Sequence, residues 1–168
     1  MIREVEGDIL LSRAQVIAHG IAPQDHFDTG LALALRERWP SMVRDYRHAI
    51  HGKPLAAGEA WMWRGVDADG STRGIVNLLT QDMLHGGATA KPGKATTENV
   101  SRSLKALAKL VADEGITSLA LPRLATGVGG LEWSEVKPLV QRHLGELKIP
   151  VLVYEVYHKG QQGDEGLA

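Results

Sequence analysis

A loop with few large side chains lies at residues 122–133, between an apolar run and a helical pattern. Four of the six residues 125–130 are alanine or glycine, as expected where the backbone takes positive φ angles or approaches a ligand closely. Amide groups in such a loop, and at the N-terminus of the helix after it, can hold a phosphate. A plain strand-to-helix turn is the alternative, and the loop alone does not separate the two. The dinucleotide-binding fingerprint is excluded, because no glycine stands three residues after the second one.

A second polar loop, residues 19–30, leads into a helical pattern that begins with Leu31. This loop is about a dozen residues long, and long ordered loops often carry function. Asp28 or Thr29 is a suitable N-cap, and the helix N-terminus behind it offers a second anion site. Phe27 has two interpretations, which are stacking on a ribose or base and packing against its own helix.

Two polar residues directly follow predicted strands. Asp8 follows the alternating segment 2–5 and either caps the next turn or presents its carboxylate to a ligand amine; the residues alone favour the cap. Gln81 follows the apolar run 74–80 and begins a glycine-rich, partly basic loop that extends to residue 94. This loop is interpreted either as a mobile flap over a substrate or as a disordered connection.

Strand and helix patterns alternate along the chain. Amphipathic patterns predict helices that begin near residues 29, 40, 96 and 134, and apolar or alternating runs predict strands at 2–5, 14–18, 58–64, 74–80, 119–121 and 151–157. Several of these strands are apolar throughout, as is typical of strands buried on both faces. The pattern predicts an α/β fold with three layers, α/β/α, around a mixed, largely parallel central sheet.

The three loops of unusual composition follow the strands at 14–18, 74–80 and 119–121. Ligands of open α/β sheets bind beyond the carboxyl ends of the strands. If these three strands are parallel neighbours, two anion-binding loops face each other across one cleft, and the loop that begins at Gln81 flanks it. The expected occupant is a small phosphorylated ligand with two phosphates.

Length and composition limit the class of protein. A chain of 168 residues with 43% apolar content builds one domain, and its polar, glycine-rich end, residues 158–168, is expected to be a flexible tail. With 19 basic and 20 acidic residues, stable nonspecific binding of nucleic acid is not expected. There is no cysteine, which excludes disulfides and thiolate-bound metals. No signal or membrane-spanning segment is visible, so a cytoplasmic protein without membrane partners is expected.

Five short motifs occur in order along the chain: Gly7-Asp8-Ile9-Leu10, Ala18-His19, Thr29-Gly30-Leu31-Ala32, Thr96-Thr97-Glu98-Asn99, and the run from Pro122-Arg123-Leu124 to Gly130-Leu131-Glu132-Trp133. Together they resemble the macrodomain family over about residues 1–157, which is the predicted domain. Within that family they are most similar to the branch that holds the terminal ADP-ribose glycohydrolase and the DNA-deADP-ribosylating antitoxin DarG. The resemblance implies binding of ADP-ribose, and no cofactor or metal is expected.

The resemblance assigns a role to each matching position. It implies that Asp8 hydrogen-bonds the adenine amino group, with the Ile9 backbone beside it. It implies that residues 29–31 hold the diphosphate from one side, and that residues 126–130 hold it from the other side and approach the distal ribose. The implied ligand-binding residues are Asp8, Ile9, His19, Thr29, Gly30, Leu31, Ala125, Thr126, Gly127, Val128, Gly129 and Gly130.

Two positions depart from the pattern of this branch. There, a lysine just after the central strand attacks the distal ribose, and an aspartate in the second loop assists. This chain has Gln81 and Gly129 at those positions. Glutamine cannot form the covalent sugar adduct that a lysine amine forms, and glycine supplies no acid or base. The covalent lysine mechanism is therefore not expected.

Two functions stay open. In the favoured one, a hydrolase removes ADP-ribose from acidic protein side chains or from DNA, with Gln81 orienting a water or leaving group, Asp28 polarising it and His85 as a more remote acid. In the other, the domain reads ADP-ribose without cleaving it. The partners are then ADP-ribose and ADP-ribosylated protein or DNA. Four basic residues either contact DNA phosphates or are plain surface charge, namely Lys91, Lys94, Arg102 and Lys105.

Overall fold

The computed structural model describes residues 1–84 and 91–167. In chain order its elements are β1 (Ile2–Gly7), a 3-10 helix (Ile9–Leu11), β2 (Val16–Ile21), α1 (Gly30–Arg38), α2 (Pro40–Gly52), β3 (Ala60–Val66), β4 (Thr72–Leu79), β5 (Gln81–Met83), β6 (Pro92–Ala95), α3 (Thr97–Glu114), β7 (Leu119–Pro122), α4 (Trp133–Leu144) and β8 (Val151–Tyr157). Every predicted strand overlaps an observed one. The short strands β5 and β6 lie in the glycine-rich segment and were not predicted.

Six strands form the central sheet in the order β1-β8-β7-β2-β4-β3. Neighbouring strands are parallel except for β3 and β4, which form an antiparallel hairpin. The prediction of a mixed, largely parallel sheet is confirmed. The strands β7, β2 and β4 are adjacent and parallel, as the predicted cleft requires.

One apolar core lies on each face of the sheet. On one face, Ile17 and Ile21 of β2 pack with residues of α1 and α2 such as Leu35. On the other face, Val16 and Ala18 pack with residues of α3 and α4. Successive side chains of a strand point to opposite faces, so β2 is buried on both sides and the three-layer prediction is confirmed.

The helices α3 and α4 begin at residues whose side chains cap the helix N-terminus. The Thr96 side chain accepts a hydrogen bond from the Asn99 backbone N–H at 3.0 Å at the start of α3, and this helix stops at Gly115 with φ 64°. Glu132 and Glu135 form a reciprocal capping box at the start of α4. In residues 1–84 and 91–167, no helix is long and apolar enough to cross a bilayer.

The end of the chain differs from the prediction of a flexible tail. Residues 158–167 pack against β1 and β8. Glu165 is 7% exposed, and its carboxylate accepts hydrogen bonds from the hydroxyls of Ser12 at 2.5 Å and Tyr154 at 2.7 Å. The prediction is wrong for these residues because the polar composition of a segment does not reveal a buried partner far away in the sequence.

Candidate functional site

Three loops meet at the carboxyl ends of β7, β2 and β4. Val16 of β2 is paired with Leu119 of β7 on one side and with Gly74 of β4 on the other, so the three strands end at the same edge of the sheet. The loop after β2, the loop after β7 and the start of β5 line one cavity of about 330 Å³. The predicted meeting of these loops in one cleft is confirmed.

A second cavity, of about 440 Å³, lies beside the first at the ends of β1 and β8. Most of its wall is apolar, with Leu10 and Tyr157 among its side chains. Gly30, Leu31 and Pro122 line both cavities. The two cavities therefore adjoin at these residues. We call them the apolar cavity and the polar cavity, and the two together the cleft.

The Asp8 carboxylate lies at the wall of the apolar cavity. Asp8 is 6% exposed, and its Oδ1 accepts a hydrogen bond from the Leu10 backbone N–H at 3.0 Å, which caps the 3-10 helix. Its Oδ2 accepts a second hydrogen bond from the Gly160 backbone N–H at 2.9 Å. Each carboxylate oxygen carries more than one lone pair, so Asp8 can cap the turn and still accept a hydrogen bond from a ligand.

Side-chain contacts fix the loop between β2 and α1. The Asp25 carboxylate accepts hydrogen bonds from the backbone N–H groups of Ala22 at 3.1 Å and Phe27 at 2.9 Å. Phe27 has φ 53°, is fully buried and contacts the Tyr46 ring edge to face, with centroids 5.8 Å apart. The interpretation that Phe27 stacks on a ligand is therefore wrong. The Tyr46 hydroxyl holds the loop by donating to the Pro23 carbonyl at 2.6 Å.

The N-terminus of α1 faces the polar cavity. Asp28 and Thr29 are exposed there, and both line the cavity with Gly30. Thr29 is the N-cap residue, but within the described residues its side chain makes no capping hydrogen bond. Amide groups of the first helical turn are consequently left for an anion in the cavity.

The loop after β7 forms the opposite wall of the polar cavity. Ala125 has φ 64°, and its carbonyl accepts a hydrogen bond from the Leu131 backbone N–H at 3.0 Å. A Cβ atom added at Gly129 would lie 2.6 Å from that same carbonyl oxygen and 2.9 Å from the Ala95 Cβ. Such contacts are too short for any side chain, so this backbone conformation requires glycine at residue 129.

Gln81 is the first residue of β5 and lies at the floor of the polar cavity. It is 5% exposed, and its Nε2 donates a hydrogen bond to the Gly93 carbonyl at 3.0 Å. Its neighbour Asp82 accepts a hydrogen bond from the Asn99 Nδ2 at 3.0 Å. The start of the predicted flap is thus bound to β6 and α3. His85, the more remote acid candidate, lies outside the described residues.

His19, a residue of β2, lines the polar cavity but is only 2% exposed. Its Nε2 lies 2.7 Å from the Asn77 Oδ1. Burial lowers the pKa of His19 to about 4, against the opposing effects of the Asn77 hydrogen bond and the Asp25 charge. The imidazole is therefore neutral at neutral pH and belongs to the wall of the cleft.

Most of the predicted ligand-binding residues come together at the cleft. Thr126 and Gly130 are outside the lining of both cavities as far as the described residues show. They shape the loop instead, since the Thr126 Oγ1 donates to the Arg123 carbonyl at 2.9 Å and the Gly130 N–H to the Gly127 carbonyl at 3.1 Å. The predicted ligand-binding residues that do line the cleft are Asp8, Ile9, His19, Thr29, Gly30, Leu31, Ala125, Gly127, Val128 and Gly129.

Sequence reasoning missed several residues of the cleft. Asp25 and Arg123 line the polar cavity, and Tyr154 and Tyr157 line the apolar one. The tyrosines lie on β8, which is parallel to β7. The rule that placed the other loops, binding beyond the carboxyl ends of parallel strands, would have found Tyr157 if applied to the last predicted strand.

The chain matches the Macro domain family over residues 21–140. Because this match spans more than half of the 168 residues, the chain belongs to the macrodomain family. The family that the ordered motifs predict is therefore confirmed. Solved macrodomain structures have the same three-layer fold.

Relatives and a solved structure agree with this family. The chain is 31% identical over 157 residues to a DNA ADP-ribosyl transferase-DNA ADP-ribosyl glycohydrolase fusion protein of Thermosipho africanus, covering 89% of this chain and 40% of that protein. It is 31% identical over 154 residues to ADP-ribose glycohydrolase OARD1 of Bos taurus, covering 91% and 90%. The structure of Thermosipho africanus DarTG in complex with ADP-ribose is similar with a TM-score of 0.79 and 26% identity, covering 96% of this chain and 42% of that one. The chain thus spans about two fifths of the length of the first relative.

Proposed function

We propose that this macrodomain binds ADP-ribose along the cleft and hydrolyses the bond between mono-ADP-ribose and a macromolecule. The observation that carries this proposal is the joining of an apolar and a polar cavity at Gly30, Leu31 and Pro122. An adenine needs an apolar slot with a few polar groups, whereas a diphosphate needs amide groups and a helix N-terminus. The names of the relatives, which describe glycohydrolases of ADP-ribose, support the same assignment.

In this proposal the apolar cavity holds the adenosine. The Asp8 carboxylate accepts a hydrogen bond from the adenine amino group, with the Ile9 backbone next to it. The start of α1, residues 29–31, and the loop 125–130 hold the diphosphate between them. The distal ribose then lies at the far end of the polar cavity, next to His19 and Gln81.

The reaction proposed for this end of the cleft is direct attack by water. A water oxygen bonds to C1 of the distal ribose while the bond to the macromolecule breaks; the water gives up one proton, and the leaving group takes one up. The Asp28 carboxylate is exposed in the cavity and serves as the group that polarises the water. The Gln81 amide orients the water or the leaving group. The remaining barrier lowering comes from fixed amide dipoles around the diphosphate.

The first test measures release of ADP-ribose from two substrates, a protein modified on acidic side chains and a DNA modified on thymidine. Asp28→Ala and Gln81→Ala are expected to lower kcat by about tenfold or more while ADP-ribose affinity changes little. A suitable control is Asp69→Ala in the exposed β3–β4 turn. If the chain releases ADP-ribose and both variants keep the full rate, these two catalytic assignments fail.

A non-catalytic ADP-ribose reader is the second candidate. It is favoured by the contact between the Gln81 Nε2 and the Gly93 carbonyl, and by the crowding that excludes a carboxylate at residue 129. Tight binding of ADP-ribose with no release from either substrate would establish the reader and refute the hydrolase.

DNA is one of the two substrates proposed, and two lysines are proposed to contact it. The Lys94 Nζ lies 3.2 Å from the position that a Cβ would take at Gly130, so this charge sits beside the loop of the polar cavity. Lys91 precedes β6 and is exposed. Contacts of these two side chains with DNA phosphates are part of the proposal.

A further inference from the structure

The tail, residues 158–167, is bound to the residues that begin the apolar cavity. The His158 backbone N–H donates to the Gly7 carbonyl at 3.1 Å, and the Asp8 backbone N–H donates to the Gln161 carbonyl at 2.8 Å. Gly7 has φ 149°, and a Cβ added there would lie 2.8 Å from the Gln161 oxygen. Because residue 7 is a glycine without a Cβ atom, the backbone of the tail can approach it this closely.

Glu165 anchors the far end of the tail. Besides the hydroxyls of Ser12 and Tyr154, its carboxylate accepts a hydrogen bond from the Arg13 backbone N–H at 2.8 Å. A buried carboxylate is stable only when such donors surround it. Gly163 passes close to the same place, since a Cβ there would lie 2.8 Å from the Tyr154 hydroxyl. The contacts of Glu165 therefore hold the tail at a fixed position.

The tail holds the Asp8 side chain as well as its backbone. The Gly160 N–H donates to Oδ2, while the Leu10 N–H donates to Oδ1. Two donors on different oxygens fix both the position and the rotation of a carboxylate. One of these donors belongs to the tail, so the orientation of Asp8 depends on residues about 150 positions later in the chain.

We propose that the tail is a positioning segment that orients the Asp8 carboxylate and thereby sets the preference of the cleft for a purine with an amino group at C6. This inference rests on the proposed binding of adenosine in the apolar cavity. An ionised carboxylate only accepts hydrogen bonds. It pairs with the 6-amino group of adenine and is repelled by the 6-oxo group of hypoxanthine. The ratio of affinities for the two bases therefore reports on how firmly Asp8 is held.

The experiment compares the affinities of ADP-ribose and inosine diphosphate ribose by calorimetry. Glu165→Ala removes the anchor, and the milder Glu165→Gln keeps its size in case the alanine variant does not fold. Both are expected to weaken ADP-ribose binding by about tenfold and to affect inosine diphosphate ribose much less. The matched control is Asp164→Asn, which removes only an exposed ion pair with Arg3 at 3.0 Å and is expected to bind both ligands as the parent does.

A second comparison separates positioning from general damage. In an Asp8→Asn background, Glu165→Ala is expected to cause no further loss of ADP-ribose affinity, because the group that it orients is already gone. Folded tail variants with unchanged affinity and selectivity would overturn the inference. So would an equal loss for both ligands that persists in the Asp8→Asn background. If the parent chain binds neither ligand, the proposed function itself fails, and the inference fails with it.

Discussion

Gly129 stands where the resemblance predicts a catalytic aspartate, and the backbone around it explains the glycine. The Ala125 carbonyl oxygen occupies the space that a Cβ would need, at 2.6 Å. Ala125 itself takes φ 64°, a conformation that alanine rarely adopts. The loop conformation and the missing carboxylate are therefore coupled, and restoring an aspartate would require a different path of the loop.

Gly129→Ala is expected to destabilise the folded chain by about 1–3 kcal/mol, because the methyl group has to displace backbone or the Ala95 side chain. Urea unfolding followed by circular dichroism measures this. The matched control is Gly127→Ala in the same loop, where no described atom lies within 4 Å of an added Cβ. Equal stability of the two variants would show that the loop adapts at residue 129.

Gly127→Glu tests the diphosphate site at the same scale. The open space at Gly127 lets the variant fold, while the new carboxylate repels the diphosphate. ADP-ribose affinity, measured by calorimetry, is expected to fall at least about tenfold further than in Gly127→Gln, which has the same size without the charge. Undiminished affinity of the glutamate variant would refute the role of this loop.

At the scale of elements, the loop between β2 and α1 is a rigid wall held by an aromatic row. His19, Phe27, Tyr46 and Trp61 follow one another with ring centroids 6.3, 5.8 and 5.1 Å apart. The row joins the sheet, the loop and α2. It holds Asp28 and the N-terminus of α1 against the polar cavity, so the geometry of this wall depends on packing beneath it.

Tyr46→Phe is expected to loosen the loop between β2 and α1. The variant keeps the ring but loses the hydrogen bond to the Pro23 carbonyl, which costs about 1 kcal/mol of stability. ADP-ribose affinity is expected to fall several-fold because the loop has to be ordered on binding. Ser71→Ala, which loses an exposed hydrogen bond to Asp69 in the β3–β4 turn, serves as the control. A Tyr46→Phe chain that binds like the control would contradict this view of the loop.

The same elements show which features of the structure could be predicted from the sequence. Apolar runs marked β2, β4 and β7, and the alternation with helices predicted a largely parallel sheet, so the cleft could be predicted on the condition that these strands are neighbours. The burial of Phe27 could not, because it depends on contact with Tyr46 across the fold. The ordered tail could not either, because the Ser12 hydroxyl that binds Glu165 lies 153 residues earlier. Contacts between residues so far apart in the chain cannot be predicted from local sequence patterns.

At the scale of the whole molecule, the neutral His19 in the wall of the cleft links stability to pH. Its pKa in the folded chain is about 4, below the ordinary value of 6.5. Between these two values the unfolded chain binds a proton that the folded chain does not. The stabilisation is therefore complete above pH 6.5 and is lost as the pH falls toward 4. The loss amounts to about 3 kcal/mol.

His19→Gln removes this dependence while its amide can still donate to Asn77. The free energy of unfolding, measured in urea at pH 7 and at pH 4, is expected to drop by about 3 kcal/mol more in the parent chain than in the variant. Carboxylates that do not interact with residue 19 contribute equally to both proteins and cancel. Parallel pH profiles of the two proteins would show that His19 is not the group responsible.

The packed tail also bears on solubility. On the α1 side of the sheet, Val5 of the edge strand β1 is 3% exposed. A Cβ added at Gly163 would come within 2.5 Å of its Cγ1, and Leu167 packs against the same core. The tail thus covers β1 on this face of the sheet, in the place that a helix would take in the layer. A chain shortened after Tyr157 would expose Val5 of β1 and the apolar core behind it to solvent, and exposed apolar surface favours association between copies.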